Sequence, residues 1–177
     1  NGYSPMNEMQ IGPKTGDPRD FKDFETCWEK MLEQQRYFFR YYAEDKRLRW
    51  LLNKGMFQDP FTQSLYTDGP AVAKTGKLRE MKYGLGPAMN VGVGAMNVAT
   101  SMYNIKKLVF DEKKITMSEL LDAMDANWEG ERNQEIRKMC LDANKYGNDI
   151  DEGDEIVARF YRDIIAEVHA IPTHRGG

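Results

Sequence analysis

The sequence lacks most of the features by which a chain declares its work. Among its 177 residues no apolar run approaches the roughly 20 that a membrane-spanning helix needs, which excludes an integral helical membrane protein. There is no excess of positive charge. The 25 Lys and Arg are set against 28 Asp and Glu, giving a formal net charge of -3 and a pI near 5.5. Lysines and acids are interleaved throughout, so no basic field exists for nucleic acid, and a small neutral or acidic substrate is the better expectation. Cysteine and histidine are scarce, at 2 each. Cys27 and Cys140 fall on the apolar faces of expected helices, which suits buried, reduced thiols rather than a disulfide framework. His169 and His174 lack the spacing of a metal pair, and no Cys stands near a His, so the sequence offers no metal ligand set and no nucleophile-base pair. The opening NGYSPMNEMQ has neither the basic n-region nor the apolar h-region of a secretory leader, which points to the cytoplasm.

What the sequence does hold is helical periodicity. The first twenty residues are punctuated by Gly2, Pro5, Gly12 and Pro13 and close on the turn cluster Thr15-Gly16-Asp17-Pro18. Asp23 is a candidate N-cap for a long amphipathic helix whose stripe runs Phe24, Cys27, Trp28, Met31, Leu32, Phe38, Phe39 and Tyr42. Leu48 to Leu52 continues or restarts it, and Gly55 is expected to stop it. From Val93 to Phe110 the pattern is helical again, with Lys106 and Lys107 near its end, where cations suit the helix dipole. Thr116-x-x-Glu119 is a capping box, with Ile115 and Leu120 placed to staple across it. Leu120, Leu121, Met124 and Trp128 predict the buried face of that helix, and Gly130 predicts its C-terminal cap. Ile136, Met139 and Cys140 mark a short helix. Ile156, Val157, Phe160, Tyr161, Ile164 and Val168 mark a final long one.

Two tempting motifs fail on spacing. Gly84-x-Gly86 has Met89 where a phosphate-binding loop needs its third glycine, and Gly92-x-Gly94 has Asn97. A calcium loop started at Asp149 would need Gly at its sixth position and Glu at its twelfth, but finds Asp154 and Phe160. The acids before the last helix are better explained by capping and the dipole.

The order of local motifs resembles the glycyl radical enzymes related to pyruvate formate-lyase. Asn1-Gly2 resembles the end of that family's LNNG turn, and Thr15-Gly16-Asp17-Pro18 followed by Phe24-Glu25 resembles its TGDP and FEE signature. Asn97, Ser101 and Ile105 to Phe110 resemble NVADSLAAIKKLVF, and Lys145 to Asp149 resembles the KYGND turn. The resemblance implies an α/β fold, a ten-stranded barrel wrapped by helices, of which residues 1-177 form a predominantly α-helical interior segment. It further implies a backbone glycyl radical, installed by an S-adenosylmethionine and 4Fe-4S activase, and an active-site cysteine that passes the radical to substrate. The cysteine loop is expected upstream of Asn1 and the radical loop downstream of Gly177. No catalytic residue, bound cofactor or metal is therefore expected within these residues. The implied partners are the remainder of the catalytic subunit, the radical activase and a small-molecule substrate.

Within the family, many dehydratase-type members carry an Asp-Cys-Ile-Glu segment and a Gly-Gly-Ala-x-Tyr-Asn segment ahead of the helix that here starts near Val93. This chain has neither, and Ala99-Thr100 replaces Ala-Asp. The segment looks more like the fumarate-adding branch, the benzylsuccinate and alkylsuccinate synthases, with their small accessory subunits. An arylacetate decarboxylase or another lyase or dehydratase of the family is the alternative, and an inactive helical interaction module is the non-enzyme alternative. For a hydrocarbon-accepting cavity, the expected wall is Met89, Val93 and Asn97, with Phe61 and Gln63 from the long glycine-rich stretch. The glycines at 84, 86, 92 and 94 are expected to allow close backbone approach.

Overall fold

A computed structural model describes residues 2-4, 6, 8-56, 94-143 and 146-172. These belong to two compact units, Asn1–Phe38 with Gly92–Ala170, and Phe39–Val91 with Ile171–Gly177.

The first unit starts with a small hairpin in the stretch expected to be irregular. Strands β1 (Tyr3–Ser4) and β2 (Met9–Gln10) pair antiparallel, with Tyr3 opposite Gln10 and Ser4 opposite Met9. Gly2 closes it: its carbonyl accepts from the amides of Ile11 and Gly12 at 2.9 and 2.8 Å. A Cβ on Gly2, at φ +64, would lie 2.5 Å from the backbone of Gly12, so only glycine fits. The following chain is fastened to the first helix by Gln34, whose side-chain amide donates to the Pro13 carbonyl at 2.7 Å and to Thr15 Oγ1 at 3.0 Å. Asp17 then caps a 3-10 turn, Pro18–Asp20, by accepting from the Arg19 amide.

Helix α1 runs Phe24–Met56. Asp23 caps it as expected, its Oδ1 accepting from the Thr26 amide at 2.7 Å. Phe24, Trp28 and Leu32 are buried, and Trp28 is fully so. Helix α2, Ala95–Ile105, packs on the last helix, α5, Asp151–His169. The stretch expected to stay helical to Phe110 changes its winding: Lys106–Asp111 is a π-helix. Helices α3 (Met117–Asp125) and α4 (Glu131–Asp142) complete the unit.

The capping box of α3 forms in both halves. Thr116 Oγ1 accepts from the Glu119 amide at 3.1 Å, and a Glu119 carboxylate oxygen accepts from the Thr116 amide at 2.8 Å. Ile115 and Leu120 share one buried cluster with Leu108, Met117, Ala123 and Ile136. Two expectations for α3 are corrected. Met124 is 53% exposed, and Ala123, at 0%, takes the buried place one residue earlier. Gly130 does not cap α3. The amides of Asn127 and Trp128 reach back to Met124 and Ala123 at 3.0 and 2.8 Å, a Schellman closure with Asn127 in the left-handed position at φ 49. Asparagine tolerates that conformation, so the helix ends at Asp125, well before the glycine, and Gly130 at φ 95 becomes the N-cap of α4 instead.

The second part of the core is aromatic. Trp28 lies 5.7 Å from Phe24 and 6.4 Å from Phe160 of α5, centroid to centroid. Its indole N–H donates to Asp163 at 2.9 Å, and the Arg159 guanidinium stacks over the ring at 4.4 Å. Arg159 also donates through both terminal nitrogens to the Glu25 carboxylate, at 2.8 and 2.6 Å. A bidentate pair and a buried aromatic thus fix α1 on α5. Burial in α5 follows the expected stripe, with Ile156, Val157, Phe160 and Ile164 inside and acids Asp151, Glu152 and Asp154 in the first turn.

In the second unit the described residues are mainly the rest of α1, which continues through Leu48 to Leu52 and ends at Met56, one residue past the expected stop at Gly55. Tyr41, Leu48 and Leu52 are exposed there, at 61%, 58% and 57%. Among the described residues no helix is long and apolar enough to cross a membrane.

Candidate functional site: the entrance of helix α2

Of the five expected cavity residues, Phe61, Gln63, Met89 and Val93 lie outside the described residues, as do Gly84, Gly86 and Gly92. Asn97 is described. It stands exposed in the first turn of α2, and its backbone carbonyl accepts from Ser101 Oγ at 2.8 Å. Gly94 forms the N-cap at φ 78 and ψ 1. A Cβ built there would meet nothing within 4 Å among the described residues, and the left-handed backbone is what calls for glycine at this position.

Helix α2 has two chemically distinct faces. Ala95, Ala99, Met102 and Tyr103 are buried. Asn97 and Ser101, four residues apart and so on one face, are exposed. The Asn97 side chain makes no hydrogen bond among the described residues, so its carboxamide is available, whereas the Ser101 hydroxyl has given its proton to the Asn97 carbonyl and keeps only its acceptor side. An exposed face of that kind offers polar groups to a hydroxylated molecule more readily than it shelters a hydrocarbon.

Behind this face lies a polar network that periodicity did not reveal. Tyr103, though buried, donates its hydroxyl to Glu152 of α5 at 3.2 Å and accepts from Lys107 Nζ at 3.2 Å. The Tyr103 hydroxyl holds the Lys107 ammonium above its ordinary value. Asn104 donates to the Cys140 carbonyl at 3.0 Å, while its own Oδ1 and the Oδ1 of Asp154 are buried without a hydrogen-bond partner among the described residues. The available signal was the seven-residue step from Asn97 to Asn104 along one helix face. Alone, it does not separate a solvated polar face from a buried network.

Both cysteines are free and half-buried against the Leu108 to Ile136 cluster, and burial pushes both thiols up. His169 is exposed at the end of α5, and His174 lies outside the described residues. Among the described residues no three His, Cys, Asp or Glu side chains are arranged to hold a metal ion.

Comparison with known proteins identifies the family. The family model described as pyruvate formate lyase-like matches residues 1-177. The chain is 32% identical over 177 residues to a trans-4-hydroxy-L-proline dehydratase of Clostridioides difficile, covering all of this chain and 22% of that protein. Among solved structures it resembles the hydroxyproline dehydratase of the same organism, with its substrate bound, at a TM-score of 0.78 and 33% identity. A structure concerned with 1,2-propanediol dehydration in Roseburia inulinivorans matches at a TM-score of 0.79 and 32% identity. The glycerol-bound B12-independent glycerol dehydratase of Clostridium butyricum matches at 0.78 and 27%. The first two structural matches cover all of this chain, the third 99%, and each covers 22% of the longer protein. The chain belongs to the pyruvate formate lyase-like family of glycyl radical enzymes and spans 22% of the length of the relatives it matches. Its helical segment matches a portion of that fold. The expected nearness to the succinate synthases finds no support among these relatives, which are dehydratases.

Proposed function

We propose that residues 1-177 are an interior portion of the catalytic subunit of a glycyl radical dehydratase, lying between the cysteine loop and the radical loop. The observation that supports it is the match to dehydratases along the whole chain, at 27% to 33% identity and TM-scores of 0.78 to 0.79. In this reading the radical, installed by a separate S-adenosylmethionine-dependent iron-sulfur activase, supplies hydrogen-atom abstraction through a cysteine outside these residues. The segment's own part is to bind and orient. Asn97 and Ser101 present hydrogen-bonding groups toward a hydroxylated substrate, and the Tyr103-Lys107-Glu152 network holds α2 against α5 so that this face keeps its position. Met89, Val93, Phe61 and Gln63 are proposed to complete the wall.

A second reading, the fumarate-adding synthase, is favoured by one feature, the absence between residues 57 and 93 of the Asp-Cys-Ile-Glu and paired-glycine segments. One experiment separates the readings. The full-length subunit, activated without oxygen, is offered glycerol, 1,2-propanediol or hydroxyproline, then fumarate with toluene or an alkane, then a hydroxyphenylacetate. Loss of water from a hydroxylated substrate supports the dehydratase, a succinate adduct the synthase, and carbon dioxide release the decarboxylase. Electron paramagnetic resonance of the isolated chain is expected to show no glycyl doublet, and a doublet on Gly176 or Gly177 would overturn the placement between the two loops.

A further inference from the structure

A second feature of the first unit lies away from the α2 entrance. A groove of about 630 Å³ opens between the 3-10 turn, the first turn of α1, the π-helix and the turn into α3. Its lining is apolar at Phe24, Val109 and Phe110, and charged at the rim. Most of those charges already have partners. Asp23 caps α1, Glu25 holds Arg159, Lys106 pairs with Asp111 at 2.5 Å, and Arg19 pairs with Asp122 at 2.8 Å. Two cations, Lys22 and Lys113, remain exposed at the groove without an ion pair among the described residues. The groove therefore combines an apolar surface with two cations that make no ion pair among the described residues, while each of its carboxylates already has a hydrogen-bond or ion-pair partner.

The π-helix adds an independent observation. Such winding is rare and is frequent at functional sites, and here it contributes Val109 and Phe110 to the lining. Lys113, just beyond it, takes φ 50, a left-handed conformation uncommon for a side-chain-bearing residue.

We propose that this groove docks an acidic segment of the same polypeptide lying outside residues 1-177. Its carboxylates would meet Lys22 and Lys113, and an apolar side chain would meet Phe24 and Phe110. The inference rests on the reading of the chain as part of a longer catalytic subunit. Two observations select the occupant: the charge left over at the groove calls for an anionic partner, and a chain covering 22% of its relatives' length leaves most of such a polypeptide available to supply it.

The test uses the full-length subunit and a zero-length carbodiimide, which joins a lysine ammonium to a carboxylate only where the two are in contact. Mass spectrometry is expected to find an amide between Lys113 or Lys22 and an Asp or Glu outside residues 1-177, within one polypeptide. Lys22→Glu, an exposed change that leaves Lys113 intact, is expected to lower the Lys113 product by about tenfold, because both cations hold the same segment. Products confined to residues 1-177, products joining two polypeptides, or a Lys113 yield unmoved by Lys22→Glu would overturn the proposal. The cross-link is read without turnover, so it can fail while the dehydration assay succeeds, and the reverse.

Discussion

In its first three turns α1 buries Phe24, Trp28 and Leu32 to 6%, 0% and 5% exposure, whereas farther along Tyr37, Phe38, Tyr41 and Tyr42 stand at 39%, 40%, 61% and 37%. Both stretches carry aromatics at helical spacing. The difference lies in what meets them. Trp28 has Phe160, Arg159 and Asp163 of α5 around it, while the later aromatics, among the described residues, have mainly one another, as in the edge-on Tyr37-Phe38 contact at 5.4 Å, and Lys46, 4.9 Å from the Tyr42 ring. Apolar periodicity encodes that a helix forms and which face seeks cover. It does not encode whether the cover lies in the same stretch of chain. Contiguous exposed aromatics of this kind usually mark contacts made elsewhere.

The contrast can be broken most sharply at Trp28. Trp28→Ala removes a fully buried ring and takes the indole donor from Asp163, leaving it only Arg159, so amide hydrogen exchange is expected to show the start of α1 destabilised by about 3–5 kcal/mol. A loss near that of an exposed residue would mean the first turns are not the anchored part. Tyr41→Ala tests the other half. If a longer polypeptide covers the aromatic face, the change is expected to cost about 1.5–3 kcal/mol there, and within about 0.5 kcal/mol in the chain of residues 1-177. Equal small costs in both settings would make the distal face a solvent face. The isolated chain is correspondingly expected to bind a hydrophobic dye and to lose it in the longer protein.

A smaller effect is expected at Arg159, which stacks on Trp28 and pairs with a largely exposed Glu25. Arg159→Met should cost about 1 kcal/mol at pH 7. The hydrogen bond from Arg159 holds the Glu25 carboxyl below its ordinary value of 4.5 in the folded state. A depressed carboxylate stabilises the fold above its unfolded value and loses that contribution as pH falls through the folded one. The gap between wild type and variant should therefore narrow below pH 4.5, and urea titrations at pH 7 and below 4 give the check. A gap that widens on acidification would place the stabilisation in something other than this pair. The smallest expected effect is Lys46→Gln, within about 0.5 kcal/mol because its cation-aromatic contact is exposed.

The same distinction separates what the sequence revealed from what it hid. Capping signals are local, so Asp23 and the Thr116-Glu119 box were legible, as were the stripes of α1 and α5. Gly130 misled because glycine is the commonest helix-stopping residue, while Asn127 could do the same work nearer the helix. Met124 misled because a one-residue shift in phase exchanges it with Ala123. The Tyr103-Lys107-Glu152 network joins residues 49 apart and has no local signature. At the site, Asn97 could be placed on its helix from periodicity, but whether it faced a wall or solvent depended on packing. The family branch was read from residues 57 to 93, where absent motifs pointed away from dehydratases, whereas the matched relatives, judged over the whole chain, point toward them.

The winding of Lys106–Asp111 works as a change of phase. An uninterrupted α-helix would carry the buried row of Ala95, Ala99, Met102 and Tyr103 forward to Lys106 and Phe110, roughly 100° being turned per residue. Burial instead resumes at Leu108, so one continuous rod turns one face to α5 and a rotated one to the Ile115-Leu120 cluster. The rod behaves like a cam with two lobes set at different angles, and removing a single residue between them would bring the lobes back into line. The mismatch would then fall on Val109 and Phe110. In this segment, register within residues 106-111 should tolerate substitution far better than any change of length.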